Sequence, residues 1–446
     1  PSSLNIPCFE LVNYETSETA IPEIDVLAID IETYNPLGKR FIPEEHPILM
    51  IALYSKKFKK VLTWKKFSDG KDVEFLDGEA SLLNRFKELM KQLKPDMITG
   101  YFSDGFDLPY INTRAKHHKI KLKIGMDDSE LNVRDEQVSI TGLPHIDIFK
   151  FVRRAMSQTL QTSSYKLDDV AEELLGEKKH EVQLDTLADT WDHDPEELAK
   201  FAKYNLQDAK LTYDLFQKVF PNIEEMVKMV GLMPFDINRM GFSQLVEWFI
   251  IKQTKNYNEI IRNKPKNTEV MGRRSKRFKG AFVFEPTPDL YQDLVVFDFM
   301  SLYPTIITSH NISLTSLNCE CCKGKQNQNP ENKEVWFCGN QKGFIAEILE
   351  EVIRRRIRIK ALLKDNPDDV LLKARVGTLK LLANSFYGYL GFYAARWYCY
   401  ECGETVTAFG RHYIKKVIDE ASNNGFKIVY SDTDSIFLAL DGKSKD

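Results

Sequence analysis

Two of the most apolar stretches in this chain carry closely spaced carboxylates, and that conflict constrains the fold more than any other feature. In VLAIDIET, Asp30 and Glu32 stand two apart on a strand, so both side chains project from one face. The flanking Ala28, Ile29 and Ile31 read as buried. Two acids held close in such surroundings need a metal, protonation or a basic partner. In KIVYSDTDSIFLAL the polar centre lies between apolar flanks, which reads as a hairpin with Asp432 and Asp434 at its tip. A third apolar strand, LVVFDF, delivers Asp298 to a surface by a buried approach. A D-x-E pair alone is a weak signal, more often an exposed strand edge. The weight rests on the combination.

At 446 residues the chain is long enough for two or three cores. Strands are expected in EIDVLAIDIET, PILMIALYS and KKVLTW, and helices in ASLLNRFKELMKQL, YKLDDVAEELL and PEELAKFAKYNLQDAKLTYDLFQKV. This mixture indicates an α/β domain to about residue 219. A mainly helical stretch from Ile223 to Ile261 leads into a basic segment. Residues 318–342, rich in Cys and Asn, read as an exposed insertion. Two helices, about 344–364 and 369–387, are separated by the breaker DNPDD and make a helical hairpin. A further helix is expected near Ala408–Asn423.

Hydrophobic content of 43% and charged content of 28% describe a folded protein rather than a disordered one. Net charge is −4, so bulk electrostatics do not nominate a nucleic-acid binder. Local clusters do: KPKNTEVMGRRSKRFK, and Arg354, Arg355, Arg356, Arg358 and Lys360, attract phosphate backbones, although either alone suits a solvated basic face. No apolar run approaches a membrane span, and the N-terminus has neither a basic leader nor an apolar signal core. The expectation is a cytoplasmic, nucleoid-associated protein with no membrane partner. Of the seven cysteines, Cys399 and Cys402 form one C-x-x-C, whereas zinc ribbons usually show two. Bridges Cys322–Cys338 and Cys399–Cys402 would suit a hyperthermophile's interior; free buried thiols are the alternative.

Asp107 lies in YFSDGFDLPYI, and Tyr204 and Asp208 fall at i and i+4 of a helix, stacking phenol and carboxylate on one face. Asp30, Glu32, Asp107 and Asp208 suit a two-metal phosphodiester hydrolase, with Tyr204 orienting the water. These residues resemble the three exonuclease motifs of DnaQ-like 3′ to 5′ proofreading domains. Many family B DNA polymerases carry asparagine five residues before the second-motif aspartate; here that residue is Phe102. The resemblance implies activity with altered contacts to the substrate strand.

VVFDFMSLYPTIITSHNIS resembles polymerase motif A of family B, with Ser301, Leu302, Tyr303 and Pro304 in place. YSDTDSIF resembles motif C, and KLLANSFYG resembles motif B. Three converging carboxylates repel one another unless divalent cations neutralise them, and the nucleotidyl-transfer chemistry needs two. The resemblance implies that Asp298 and Asp434 bridge the metals, that the Phe299 carbonyl adds a ligand, and that Asp432 supports the site. Lys380, Asn384 and Tyr387 at i, i+4 and i+7 share one helix stripe, and Arg356 and Lys360 repeat the i, i+4 spacing. Together they form a cationic clamp for a triphosphate; surface salt-bridging remains the reading for Arg354 or Arg358. The ring of Tyr303 is expected beneath the sugar, where it collides with a 2′ hydroxyl. RFKGAF resembles the archaeal Y-x-G-G linker, with Lys276, Arg277 and Lys279 as backbone contacts to DNA.

The resemblance runs from Ile24 to Leu440. It implies a mixed α/β (α+β) architecture: an RNase H-like exonuclease domain, a right-hand polymerase palm and helical-hairpin fingers, with the thumb missing. The expected map is an N-terminal remnant (1–23), exonuclease (24–219), helical connector (220–262), first palm part (263–345), fingers (346–392) and second palm part (393–446). The implied function is template-directed DNA synthesis with proofreading, on primer-template DNA, with dNTPs and two Mg²⁺ per centre, Mn²⁺ being the other candidate. A second polypeptide supplying the thumb, and a sliding clamp, are implied partners. The competing functions are a stand-alone exonuclease carrying an inactive polymerase relic and a non-catalytic DNA-binding scaffold.

Overall fold

The aliphatic runs near the N-terminal end form strands because their β-branched side chains pack on a pleated, buried surface. These are β1 (Val26–Thr33), β2 (Ile48–Tyr54), β3 (Lys59–Thr63) and β4 (Val73–Phe75). The computed structural model describes residues 23–36, 40–68, 70–157, 160–162, 164–177, 184–323 and 326–440. The expected N-terminal remnant, up to residue 22, lies outside them. Two units are distinguished: Pro1–Glu224 with Met233–Arg239, and Glu225–Leu232 with Met240–Asp446.

The first unit continues with α1 (Glu79–Leu93), β5 (Met97–Gly100), α2 (Asp107–His117), the small hairpin β6 (Asn132–Arg134) and β7 (Gln137–Ser139), β8 (His145–Asp147) and α3 (Ile148–Phe151). Helices α4 (Leu167–Leu175), α5 (Leu187–His193) and α6 (Leu198–Val230) follow, with α7 (Pro234–Arg239) returning to this unit. Six strands make one sheet in the order β4-β3-β2-β1-β5-β8, with β1 antiparallel to β2 and parallel to β5. The two-residue pleat sorts the side chains. Leu27, Ile29 and Ile31 enter a core with Leu82, Phe86, Leu108 and Ile111 from α1 and α2. The opposite face, with Met50, Ala52 and Val61, packs on Leu198, Phe201, Ala202 and Ala209 of α6. Each buried Leu, Ile, Val, Met or Phe among these contributes about 1.5–3 kcal/mol.

Helix α6 runs past the expected end near residue 219 and through Pro221. A proline in a helix interior forfeits one backbone bond, but Val219, Ile223 and Met226 are buried around it, and packing of the apolar face outweighs the loss.

The second unit holds α8 (Phe242–Thr254), α9 (Asn267–Arg274), β9 (Val283–Phe284), β10 (Leu294–Asp298), α10 (Leu302–Ser309), α11 (Phe344–Asp365), α12 (Val370–Leu390), α13 (Tyr400–Asn423), β11 (Lys427–Asp432) and β12 (Ser435–Ala439). Its antiparallel sheet has the order β10-β12-β11-β9, covered by α13 through Ile414, Ile436 and Leu438. Helices α11 and α12 pair as the expected hairpin. Asp369 caps α12 by accepting the Leu372 N–H at 2.9 Å.

Three expectations are corrected. The strand leading to Asp298 is not buried: β10 is an edge strand, with Val296 52% and Phe297 57% exposed. Its apolar sequence marks a surface that calls for a cover, and one neighbour, β12, supplies half of it. The insertion between α10 and α11 is not simply exposed, since Phe337, Cys322, Cys338 and Asn329 are buried within it. Finally, all six described cysteines are free. Cys399 instead starts α13 eight residues earlier than expected, its sulfur accepting the Cys402 N–H at 3.1 Å. The Cys322 and Cys338 sulfurs stand 3.9 Å apart, and a third sulfur, that of Cys321, lies nearer to Cys338 at 3.5 Å. No helix among the described residues is long and apolar enough to cross a membrane.

Candidate functional site

In the first unit the pleat aims Asp30 and Glu32 away from the α1–α2 core and toward the side covered by α6. There they meet Asp208: an oxygen from each of the three carboxylates lies within 4.8 Å of the other two. Asp107, at the start of α2, accepts the Ile31 N–H at 3.1 Å, so the strand itself orients the fourth acid. Burial, reinforced by the nearby charges of Asp147 and Asp208, pushes the Asp107 carboxyl up to about 7. All four acids line one cavity of about 300 Å³. Tyr204 is buried one turn before Asp208 and is not among the residues lining that cavity. Carboxylates gathered this closely at a strand face fit hard divalent cations, which accept oxygen ligands and cancel the repulsion.

Sequence reasoning missed Asn205, whose Nδ2 donates to Asp30 Oδ2 at 2.6 Å and fixes that carboxylate. It also missed the aromatic wall. Phe41, Phe102 and Phe106 line the same cavity, Phe41 and Phe106 meeting edge to face at 5.4 Å. Phe102, at the position expected for asparagine, adopts φ +61°, a left-handed conformation rare for a bulky residue. Asp147 holds it there by accepting the Phe102 and Asp104 N–H groups, both at 3.0 Å. Asp104 is fully buried against Lys150 and Arg239, each at 2.8 Å. Burial alone would raise its pKa, but His145 and Arg239 hold the carboxyl far below the usual carboxylate range.

In the second unit the three polymerase-type acids are aligned by backbone register. Asp298 at the end of β10 pairs with Ser435, as does Asp432 at the end of β11. The Phe299 N–H then donates to the Asp434 carbonyl at 2.8 Å, locking the end of β10 to the hairpin tip. Burial, and next the Asp298 charge, raise the Asp434 pKa. Asp432 is held by its neighbours: Thr433 Oγ1 donates to it at 2.9 Å and the Tyr430 hydroxyl at 3.3 Å. Asp298 and Asp434 have no such side-chain donors among the described residues. Oxygen donors from two carboxylates fit Mg²⁺-type ions.

Beside them, α10 packs on α11, α12 and α13. Arg356 donates from Nη1 to Ser301 Oγ at 3.0 Å, and its Nε is buried without a hydrogen-bond partner among the described residues. Tyr303 lies 4.4 Å from Tyr387 ring to ring, and Gly410 of α13 lets it in: a Cβ there would come within 3.2 Å of the tyrosine ring. Lys360, Lys380 and Asn384 are exposed, and neither lysine has an ion pair among the described residues. Arg354, by contrast, bridges Glu350 at 2.8 Å, the surface role expected of it. Arg411, missed by sequence reasoning, is buried and grips Glu331 at 2.8 and 2.7 Å while donating to the Lys279 carbonyl at 2.8 Å. It thereby pins the RFKGAF segment to α13.

Comparison with known proteins agrees with both halves of this reading. Residues 4–170 match the family model for the DNA polymerase family B exonuclease domain, and residues 237–446 match that for DNA polymerase family B. The chain is 37% identical to DNA polymerase 1 of Pyrococcus abyssi over 94% of its own length and 54% of the relative's. It is 33% identical to the DNA polymerase of Archaeoglobus fulgidus, over 95% of the chain and 51% of the relative. The solved structure of the family B DNA polymerase from the hyperthermophilic archaeon Pyrobaculum calidifontis superposes with a TM-score of 0.79 at 28% identity, covering 96% of this chain and 55% of that one. The chain thus spans about half the length of the relatives it matches. With both family models in sequence along it and both acidic centres built from the expected motifs, the chain belongs to DNA polymerase family B.

Proposed function

We propose that the chain carries out template-directed addition of deoxynucleotides to a primer 3′ end and removes misincorporated residues in the 3′ to 5′ direction. The observation that carries this reading is the presence of two separate carboxylate centres, one in each unit, of which, among the described residues, the second adjoins a cationic helix pair. Two divalent cations at each centre, Mg²⁺ foremost and Mn²⁺ as an alternative, would activate the attacking oxygen and stabilise charge on the leaving group.

The residues of the chain then divide the work. Asp298 and Asp434 hold the cations for synthesis, with the Phe299 carbonyl as a further ligand, and Asp432 fixes the hairpin tip. Arg356, Lys360 and Lys380 receive the triphosphate, the half-buried guanidinium of Arg356 being set by Ser301; the first turn of α10, with Ser301 and Leu302, offers backbone N–H groups to phosphate. Asn384, Tyr387 and Tyr303 frame the sugar and base. In the nuclease centre Asp30, Glu32, Asp107 and Asp208 hold the cations. Tyr204 orients water, and Phe102, Phe106 and Phe41 stack unpaired bases of the strand end. Lys276, Arg277 and Lys279 contact template phosphates.

Primer-template DNA and dNTPs are the substrates, in a cytoplasmic setting. The exposed apolar face of β10 supports a further covering element, which we assign to a second polypeptide supplying the thumb; a sliding clamp is the remaining candidate partner. One primer-extension gel tests the core claim: extension with dNTPs and shortening without them. Persistence of shortening in an Asp30→Ala, Glu32→Ala double variant would overturn the nuclease assignment, and absence of any extension by wild type with its covering partner would overturn the synthetic one.

A further inference from the structure

The insertion between α10 and α11 gathers four cysteines that neither acidic centre uses. Cys319, Cys321 and Cys322 lie on one tight turn, and Cys338 is brought to them by the paired segments around Trp336 and Phe337. Their sulfurs all lie within 4.8 Å of one another, with measured separations of 3.8, 3.5 and 3.9 Å among Cys321, Cys322 and Cys338. A tetrahedral tetrathiolate with metal–sulfur bonds of ~2.3 Å requires sulfur–sulfur edges of roughly 3.8 Å. Disulfide formation pairs sulfurs at bonding distance; here the three measured separations are all 3.5 Å or more, and the fourth sulfur lies within the same 4.8 Å cluster.

Two further observations fit a ligating cluster. The Gly339 N–H donates to the Cys322 sulfur and the Gln341 N–H to the Cys338 sulfur, both at 3.3 Å. Backbone donors aimed at sulfur stabilise a negative ligand and orient it, as outer-shell groups do around structural metals. The scaffold is also tightly set. Cys338 N–H donates to the Ser316 carbonyl at 2.9 Å, Trp336 Nε1 to the Cys319 carbonyl at 3.0 Å, and Asn311 Nδ2 to the Cys338 carbonyl at 2.6 Å. Few apolar side chains are buried inside the insertion, chiefly Val335 and Phe337, so it is a segment of the kind that needs a staple.

We propose that Cys319, Cys321, Cys322 and Cys338 bind a structural zinc ion. Soft thiolate ligands select zinc over the hard cations of the two acidic centres. The ion closes the insertion just ahead of α11. Asn311 makes the link, its Oδ1 accepting the Gly343 N–H at 2.7 Å directly before the helix that carries Arg356 and Lys360. The site is structural, since four protein ligands leave no open position for water.

The test uses the whole chain, purified under reducing conditions, freed of loosely held metal and assayed for zinc. Its thiols are then counted after denaturation without reductant. The expected result is one zinc per chain together with all seven thiols of the sequence. Cys321→Ser and Cys338→Ser each lose the zinc, whereas Cys399→Ser with Cys402→Ser retains it. Cobalt exchanged into wild type gives the visible absorption of a tetrahedral thiolate complex, so the proposal stays testable even where a variant fails to fold. A thiol count lowered by two without metal identifies a disulfide and overturns the proposal. Seven free thiols that take up neither zinc nor cobalt overturn it equally.

Discussion

The backbone N–H of Phe299 donates to the carbonyl of Asp434 across 2.8 Å, joining two stretches of chain more than a hundred residues apart. It sets Asp298, one residue before, against Asp434 without any direct contact between their carboxylates. Burial, and after it the Asp298 charge, raises the Asp434 pKa, and a cation placed there would offset that cost.

Asp434→Asn therefore removes cation binding at the synthetic centre while leaving the hairpin in place. Several kcal/mol of charge stabilisation disappear, corresponding to a loss in extension rate on the order of 10³-fold. Shortening of 3′ ends in the absence of dNTPs should continue at the wild-type rate. Parallel extension and degradation assays check this; loss of both activities would mean that the substitution unfolds the chain.

Tyr303→Ala opens the space under the sugar. Because the ring is wedged between Tyr387 and Gly410, the deletion is not refilled by a neighbour moving in. Ribonucleotide incorporation relative to deoxynucleotide should rise by roughly tenfold or more, a change of about 1.4 kcal/mol in discrimination. Single-nucleotide competition assays measure the ratio, and an unchanged ratio would remove Tyr303 from this role.

Glu79→Ala tests the frame of the nuclease unit. Glu79 is buried and accepts from the Ile48 N–H at 2.7 Å and from Arg114 Nε at 2.8 Å. Burial raises its pKa, yet the bonds from Arg114, His118 and Ile48 more than compensate and leave the carboxyl lower than usual. Removing one partner strands Arg114 in the interior at a cost of about 3–5 kcal/mol. A melting temperature lower by roughly 10 °C is expected by calorimetry.

Asp104 makes the same unit sensitive to acid. Its folded pKa is depressed, so the native state binds fewer protons than the unfolded chain at low pH. The stabilisation is present above the unfolded value of about 4 and is lost as pH falls toward the folded one. Asp104→Asn should flatten the dependence of unfolding free energy on pH below about 4, measured by denaturant titration at several pH values.

Much of both centres was legible because periodicity carries direction. The two-residue spacing put Asp30 and Glu32 on one face, and the four-residue spacing placed Asp208 one turn from Tyr204. Asn205 escaped this logic because it sits a quarter-turn round α6 from Tyr204 and reaches Asp30 only because the helix packs so closely on the sheet. Exposure of β10 was equally hidden: an apolar pattern says what a strand needs against it and not which segment supplies it. The extension of α6 through Pro221 was lost to a local rule that tertiary packing overrode. The cysteine cluster follows no standard spacing, since loop closure rather than sequence interval brings Cys338 to the other three.

Among the described residues, strand β10 is hydrogen-bonded along one edge alone, to β12. The carboxylate at its end is thus anchored like a shelf bracketed on a single side, through the β12 ladder and the Phe299–Asp434 bond. A segment pairing with the outer edge of β10 would stiffen that shelf. Under the proposed function, catalytic output would then respond to that contact, and amide protons on the outer edge of β10 would exchange slowly only when it is made.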